Sequence, residues 1–250
     1  MVNMLKEITM HNYIKCTISN IPSLIVNPPE IPKASVLLYH GWASKNENYL
    51  FFASLISSWG FKVIIPELPY HGVRGSLNYF DTKVLQENFW NVVLQGVKEV
   101  EEIVSALTES DGNISIIGHS TGGFIAGGAF SNISCLQSAI VINGSCAWIK
   151  FEDMYREKDG RPPLTDTERL FLKEHDPLSK VSFGNRKALL LLHGKEDRII
   201  PIDSQRYFMN EKSKVPEEHL KLVEYSGVNH QITLGMLESS KEWLGKFKLH

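Results

Sequence analysis

The chain has 250 residues, 43% hydrophobic and 22% charged, which is enough to bury a full core in a single domain. Its 26 basic and 28 acidic residues give a formal net charge of −2, and without a dense Lys/Arg run a nucleic-acid partner is not expected. Because it has no signal-peptide pattern, no apolar run of membrane-spanning length, and only the widely spaced Cys16, Cys135 and Cys146, we expect a cytoplasmic protein without disulfides, a zinc site or a membrane span.

The chain opens with two short segments, residues 13–19 and 23–26, whose pattern predicts an antiparallel pair of strands. Nearly continuous apolar runs follow, as is typical of strands buried on both faces of a parallel sheet. They read SVLLYHG, KVIIPEL, ISIIGHS, SAIVING and KALLLLHG, with a weaker sixth run, HLKLVEY. The sequence therefore predicts a mostly parallel sheet.

Helical patterns separate these runs, at residues 48–59, 82–108, 122–132, 203–212 and 233–247. This alternation indicates βαβ units and an α/β fold with helices covering the sheet.

Residues 148–182 break the rhythm, because they are charged and interrupted by prolines, with one short helical pattern at 165–174. We interpret them as a small cap inserted within a single domain of residues 1–250. The simpler interpretation of the cap's large apolar side chains is that they hold it on the sheet, and the alternative is that they line an acyl or aromatic pocket. These side chains are Phe151, Met154, Tyr155, Leu170 and Phe171.

Ser120 lies where the run ISIIG meets a helix, within Gly118-His119-Ser120-Thr121-Gly122. This G-x-S-x-G spacing fits a sharp strand-to-helix turn that lifts a serine hydroxyl above a sheet, where larger residues at the glycine positions would collide with backbone. The pentapeptide alone fits a plain glycine-rich turn about as well. A nucleophile also needs an acid and a histidine after later strands.

Both residues follow in that order. Asp197 comes after KALLLLHG and His230 comes after HLKLVEY, and a histidine held by a carboxylate can take a proton from serine and return it. Glu196 and Asp203 lie nearby, and the alternative interpretation of Asp197 is a surface or helix-capping carboxylate.

The chain has nine histidines, and the main rival to His230 is His71, which also follows a buried strand. His40 and His193 precede glycines at strand ends, where a ring more often ties loops together than transfers protons. His119 flanks the serine, and residues in that position point away from it. Only His230 completes the order Ser, Asp, His.

The chain from about Ser35 onwards resembles the α/β-hydrolase superfamily, and more narrowly its small esterases and its prolyl-oligopeptidase-like and dienelactone-hydrolase-like members. The motifs that carry this resemblance are LYHGW, PELPYHGVR, GHSTGG, HGKEDRIIP and GVNH. The resemblance implies a mostly parallel sheet of about eight strands and an oxyanion hole formed by the backbone amides of Trp42 and Thr121. Two residues depart from the usual pattern, since many relatives have Asp at Glu67 and a smaller residue or Phe at Trp42.

The resemblance implies no metal or organic cofactor, and a serine at position 120 excludes the subfamilies that attack through aspartate. We therefore expect a serine hydrolase of small-molecule esters, with Ser120, His230 and Asp197 as the catalytic residues. Two alternatives stay open: a peptidase or thioesterase with the same residues, and a non-catalytic binding protein on this fold. The sequence does not predict the oligomeric state.

Overall fold

The structure is a computed structural model that describes residues 13–107, 113–184 and 187–246. The N-terminal segment 1–12, on which the signal-peptide prediction partly rests, lies outside these ranges. So do Thr108 and Phe247, the predicted last residues of two helices. No helix in the described ranges is long and apolar enough to cross a membrane.

Strands and helices alternate along most of the chain, as the sequence predicts. The strands are β1 (Ile14–Ile18), β2 (Ile21–Val26), β3 (Ala34–Tyr39), β4 (Phe61–Pro66), β5 (Ile114–His119), β6 (Leu136–Ile142), β7 (Ala188–Gly194) and β8 (Leu220–Tyr225). The helices are α1 (Leu50–Ser58), α2 (Thr82–Leu107), α3 (Thr121–Asn132), α4 (Trp148–Asp159), α5 (Asp166–Lys173), α6 (Pro177–Lys180), α7 (Asp203–Glu211) and α8 (Leu234–Gly245). Short 3₁₀ turns span Asn46–Tyr49 and Gly72–Arg74.

The strands of the described residues form one eight-stranded sheet in the order β1-β2-β4-β3-β5-β6-β7-β8. β1 pairs antiparallel with β2, and β2 antiparallel with β4. The strands from β4 to β8 are all parallel. This confirms the predicted α/β-hydrolase fold, and it places the carboxyl ends of β5, β7 and β8 at one edge of the sheet, where ligands bind in such folds.

Strands β3 to β7 are buried on both faces, which explains why they read as nearly continuous apolar runs. Successive residues of β3 alternate between two cores: Leu37 and Tyr39 pack on the side of α2 and α3, while Val36 and Leu38 pack on the side of α1 and α8. The sheet is therefore a fixed platform for the loops at its edge.

The cap segment differs from its prediction. The sequence predicts one helix at 165–174, which corresponds to α5, but the structure adds α4 before it and the single turn of α6 after it. Trp148, the first residue of the segment, is fully buried and contacts Trp90 with ring centroids 5.3 Å apart. The start of α4 therefore belongs to the core.

Candidate active site

Ser120 lies at the turn between β5 and α3 with φ 56° and ψ −122°. Positive φ is strained for a residue with a side chain, and such strain persists only where surrounding structure enforces it. Here the Ser120 amide donates to the Ile142 carbonyl at 2.9 Å. A Cβ at Gly118 would collide with the Gly122 carbonyl, and one at Gly122 with the Tyr39 carbonyl. The steric reason inferred for the G-x-S-x-G glycines is thus present in the structure.

The structure brings Ser120, His230 and Asp197 together. His230 Nε2 lies 2.8 Å from Ser120 Oγ, and His230 Nδ1 lies 2.7 Å from Asp197 Oδ2. With the ring proton on Nδ1, the imidazole donates to the carboxylate while Nε2 accepts the serine hydroxyl proton. This arrangement allows a proton to pass from the hydroxyl to the ring.

Asp197 is enclosed and fully hydrogen-bonded. Burial alone would raise the pKa of its carboxyl, but hydrogen bonds from His193 and His230, the charge of His230 and the Ile200 amide outweigh burial and hold this pKa well below its usual range. Oδ1 accepts from the amides of Ile199 and Ile200 at 2.9 Å each. The carboxylate therefore stays ionised beside the imidazole.

The loops that carry Asp197 and His230 are fastened to each other. The Arg198 amide donates to Asn229 Oδ1 at 3.0 Å, and the Val228 amide donates to Glu196 Oε2 at 3.1 Å. Asn143, after β6, accepts from the Gly194 amide and donates to the Gln231 carbonyl. Asn143 thus links the two loops, a role that its sequence context does not indicate.

Trp42 and Thr121 both border the space beside Ser120. A Cβ on Gly41 would lie 3.1 Å from the Ser120 Cβ, so the Gly41–Trp42 backbone passes directly alongside the serine. Thr121 is the first residue of α3, where helical amides have no intrahelical acceptor. Within the described residues neither amide has a hydrogen-bond acceptor, so both remain free to bind an anion.

His71 lies apart from the serine. It is fully buried, its Nδ1 donates to the Pro69 carbonyl at 2.8 Å, and its ring stacks on Tyr79 at 4.7 Å and meets Trp42 edge-on at 5.4 Å. Burial lowers the pKa of His71 to about 4. No hydrogen bond in the described part of the chain joins it to Ser120, so its contacts are those of a support for Trp42.

His40 and His193 tie loops together, as the sequence suggests. His40 Nε2 accepts from the Leu68 amide at 3.1 Å and lies 2.9 Å from Glu67 Oε1. His193 Nε2 donates to the Ile200 carbonyl at 2.8 Å and lies 3.5 Å from Asp197 Oδ2. Neither ring contacts the serine, and His193 supports the acid from behind.

A pocket that is partly open to solvent adjoins Ser120. Three parts of the chain form its walls: the loops of the site, the first half of α2, and the cap from α4 to Arg161. The residues are Trp42, Leu85, Gln86, Phe89, Trp90, Ser120, Thr121, Phe151, Glu152, Tyr155, Arg161, Ile199 and Ile200. Phe151 and Tyr155 thus do line a pocket, whereas Leu170 and Phe171 lie outside its wall and are at least about half exposed.

The α/β-hydrolase sheet and its strand–serine–helix turn define the class of the protein as serine hydrolase. A model of the prolyl oligopeptidase family matches residues 48–246, and the chain belongs to that family.

One curated relative and two solved structures are similar to this chain over most of its length. Esterase YjfP of Escherichia coli (strain K12) is 25% identical over 236 residues, covering 89% of this chain and 94% of that protein. The crystal structure of TT1662 from Thermus thermophilus superposes with a TM-score of 0.76 at 21% identity, covering 94% of this chain and 97% of that one. The Pyrococcus furiosus esterase Pf2001 gives a TM-score of 0.62 at 16% identity, covering 95% and 90%.

Proposed function

We propose that this serine hydrolase is a carboxylic ester hydrolase that acts through an acyl-enzyme on Ser120. The observation that carries the proposal is the continuous hydrogen-bonded line from Ser120 Oγ through His230 to Asp197, at 2.8 and 2.7 Å, at the edge of an apolar pocket. A serine hydroxyl is a weak nucleophile unless a base accepts its proton.

The proposed reaction has two halves. Ser120 Oγ attacks the ester carbonyl carbon while its proton moves to His230 Nε2, and the carbonyl oxygen becomes an oxyanion that the Trp42 and Thr121 amides bind. His230 then protonates the departing alkoxide, which leaves as the alcohol. Water attacks the acyl-enzyme and loses its proton to His230, and the acid departs as Ser120 regains a proton. Asp197 stabilises the imidazolium in both halves.

The hydrogen bonds already made by Glu152, the acidic residue of the pocket, favour an ester substrate over a peptide. Glu152, 5% exposed, accepts from Trp90 Nε1 at 3.0 Å, Arg156 Nε at 2.8 Å and Arg161 Nη1 at 3.2 Å. Three of its roughly four acceptor sites are therefore already used by the protein, which leaves little capacity for the ammonium group of a peptide. The esterase name of the Escherichia coli relative supports the same choice.

The test is a panel of p-nitrophenyl esters of increasing acyl length beside the matching p-nitroanilides. We expect ester turnover with little anilide turnover, and a loss of about 10⁴- to 10⁶-fold in kcat for Ser120→Ala. Anilides cleaved as well as esters would favour the peptidase alternative. Full activity in Ser120→Ala would rule out the proposed mechanism.

A further inference from the structure

Apart from Ser120 and Thr121, the polar residues of the pocket come from α2 and the cap. Gln86, Glu152 and Arg161 lie in walls that are otherwise aromatic, and the aromatic residues there are Phe89, Trp90, Phe151 and Tyr155. Burying polar groups in such a wall is unfavourable unless they have partners. The partners of each polar group therefore indicate which one is free for a ligand.

Arg161 has donors to spare. Its Nη1 donates to Glu152 at 3.2 Å, and its Nε lies 3.6 Å from Asp159 Oδ2, beyond hydrogen-bonding distance. The Tyr155 ring lies 5.7 Å from the guanidinium carbon. Within the described ranges Arg161 Nη2 has no acceptor. Unlike Arg161 Nε, it is not one of the buried atoms that lack a partner, so it is accessible from outside. Its two N–H bonds are therefore available to a ligand.

The charges around Arg161 determine which kind of acceptor group on a ligand can bind there. Glu152 is shared by Arg161 and Arg156, and Arg156 also bonds Glu168 at 2.8 Å. With Asp159, two arginines face three carboxylates. This excess of negative charge disfavours an anionic ligand, because a further carboxylate would meet like charges close by. A neutral carbonyl oxygen accepts from a guanidinium without that repulsion.

We propose that the preferred esters carry, on a mainly apolar acyl group, a second neutral carbonyl that accepts a hydrogen bond from Arg161 Nη2. This inference rests on the proposed esterase function and names its substrate class as oxo-acyl, amido-acyl or diester compounds. The acyl part is assigned to the pocket because it stays bonded to Ser120, which lines the pocket, through both halves of the reaction.

The experiment compares p-nitrophenyl octanoate with analogues that carry one ketone at each carbon from the γ-carbon outwards, and with a chain-matched ω-carboxylate. Rates are normalised to hydroxide-catalysed hydrolysis of each ester. The variants are Arg161→Met, Arg161→Lys and a control, Arg169→Met. Arg169 lies on α5 of the same cap and bonds Asp153 at 2.7 Å, but it does not line the pocket.

We expect wild type to prefer the best ketone ester over octanoate by about 10- to 100-fold in kcat/KM, as for a hydrogen bond to a charged group. Arg161→Met should abolish this preference, whereas Arg161→Lys should retain part of it, and Arg169→Met, outside the pocket, should retain all of it together with the wild-type octanoate turnover. The inference is overturned if wild type shows no preference, if Arg161→Met keeps it, or if the carboxylate ester is best. Arg161 also borders a second depression, beside Asp153 and Arg156. If Nη2 faced only that depression, Arg161→Met would keep the preference for the ketone ester, and the inference would be overturned.

Binding separates this inference from the proposed function. Trp42 and Trp90 line the pocket, so tryptophan fluorescence of Ser120→Ala can follow binding of the same esters without turnover. We expect tighter binding of the ketone ester in Ser120→Ala, and equal binding of both esters once Arg161→Met is added. Equal binding in Ser120→Ala itself would overturn the inference. Absence of turnover in wild type would instead overturn the esterase proposal.

Discussion

At the residue scale, Tyr49 connects the two sides of the site. Its hydroxyl accepts from the Gly41 amide at 3.1 Å and lies 2.6 Å from His119 Nδ1. Burial, followed by the charge of His230, lowers the pKa of His119 to about 3. The ring is therefore neutral, and its Nδ1 accepts a hydrogen bond from the Tyr49 hydroxyl. Gly41 precedes Trp42 and His119 precedes Ser120, so one hydroxyl fixes the proposed oxyanion loop against the serine turn.

We therefore predict that Tyr49→Phe lowers kcat about tenfold or more and leaves KM within about threefold, because loosening an oxyanion donor affects the transition state more than the bound ester. The matched control is Tyr39→Phe. Tyr39 is also buried, but its hydroxyl has no hydrogen-bond partner within the described residues, so its removal should leave both constants unchanged. Steady-state kinetics on one ester decide the matter, and equal effects of the two substitutions would show that Tyr49 has no positioning role.

Sequence reasoning finds Ser120, Asp197 and His230 because their order along the chain follows the order of the strands. It does not find Tyr49 or Asn143, because their importance depends on contacts with residues far away in sequence. Tyr49 reaches His119 across 70 positions and Asn143 reaches Gln231 across 88. Neither has a neighbouring motif that signals these contacts.

At the element scale, α4 is the feature that the sequence obscures. Its sequence WIKFEDMYREKD is mostly charged, and only Trp148, Phe151 and Glu152 are buried. Helix prediction relies on an apolar stripe, but here a carboxylate takes one place in the stripe and is stabilised by Arg156 and Arg161. The apolar stripe of α4 is therefore too narrow to stand out in the sequence.

The inner face of α4 should set the acyl preference. Tyr155 lines the pocket and stacks on Phe151 with centroids 5.4 Å apart. Tyr155→Ala should lower the kcat/KM ratio of p-nitrophenyl octanoate to p-nitrophenyl acetate about tenfold, since roughly 1.4 kcal/mol of apolar contact is lost for the long acyl group alone. Phe171→Ala on α5 is the control, because Phe171 is about half exposed and lies outside the pocket wall. An unchanged ratio in Tyr155→Ala would show that this face of the cap does not determine the acyl preference.

At the scale of the whole molecule, the fold follows from sequence because strands β3 to β7 are nearly continuous apolar runs, and helices or the cap separate each from the next. The site residues then cluster at the carboxyl ends of the strands, because parallel strands end at the same edge of the sheet. The strand order and the pairing of β2 with β4 instead depend on which edges meet in space.

Two buried histidines make stability depend on pH. The pKa of His71 is lowered to about 4 and that of His119 to about 3, against about 6.5 in an unfolded chain. Below pH 6.5 the unfolded state thus binds more protons, and the free energy of unfolding falls as pH falls. Each histidine contributes up to about 1.4 kcal/mol per pH unit until its folded pKa is reached. The lowered pKa of Asp197 acts in a separate window, below about pH 4.

We predict that urea unfolding at several pH values between 6.5 and 4.5 gives a falling free energy of unfolding in wild type, and a slope smaller by about one proton in His119→Asn. The substitution also removes the bond to Tyr49, which lowers stability at every pH. The slope is therefore the decisive quantity, and parallel curves for the two proteins would contradict a neutral, buried His119.

In the proposed mechanism His230 activates Ser120, and the rate of covalent labelling by a fluorophosphonate reports on that activation. Intact-mass spectrometry with peptide mapping should show one adduct, on Ser120, because only an activated serine reacts rapidly at neutral pH. His230→Ala should slow labelling by orders of magnitude, whereas His71→Ala, which lacks only a support of Trp42, should label at close to the wild-type rate. An adduct on another residue, or fast labelling of His230→Ala beside slow labelling of His71→Ala, would contradict the mechanism.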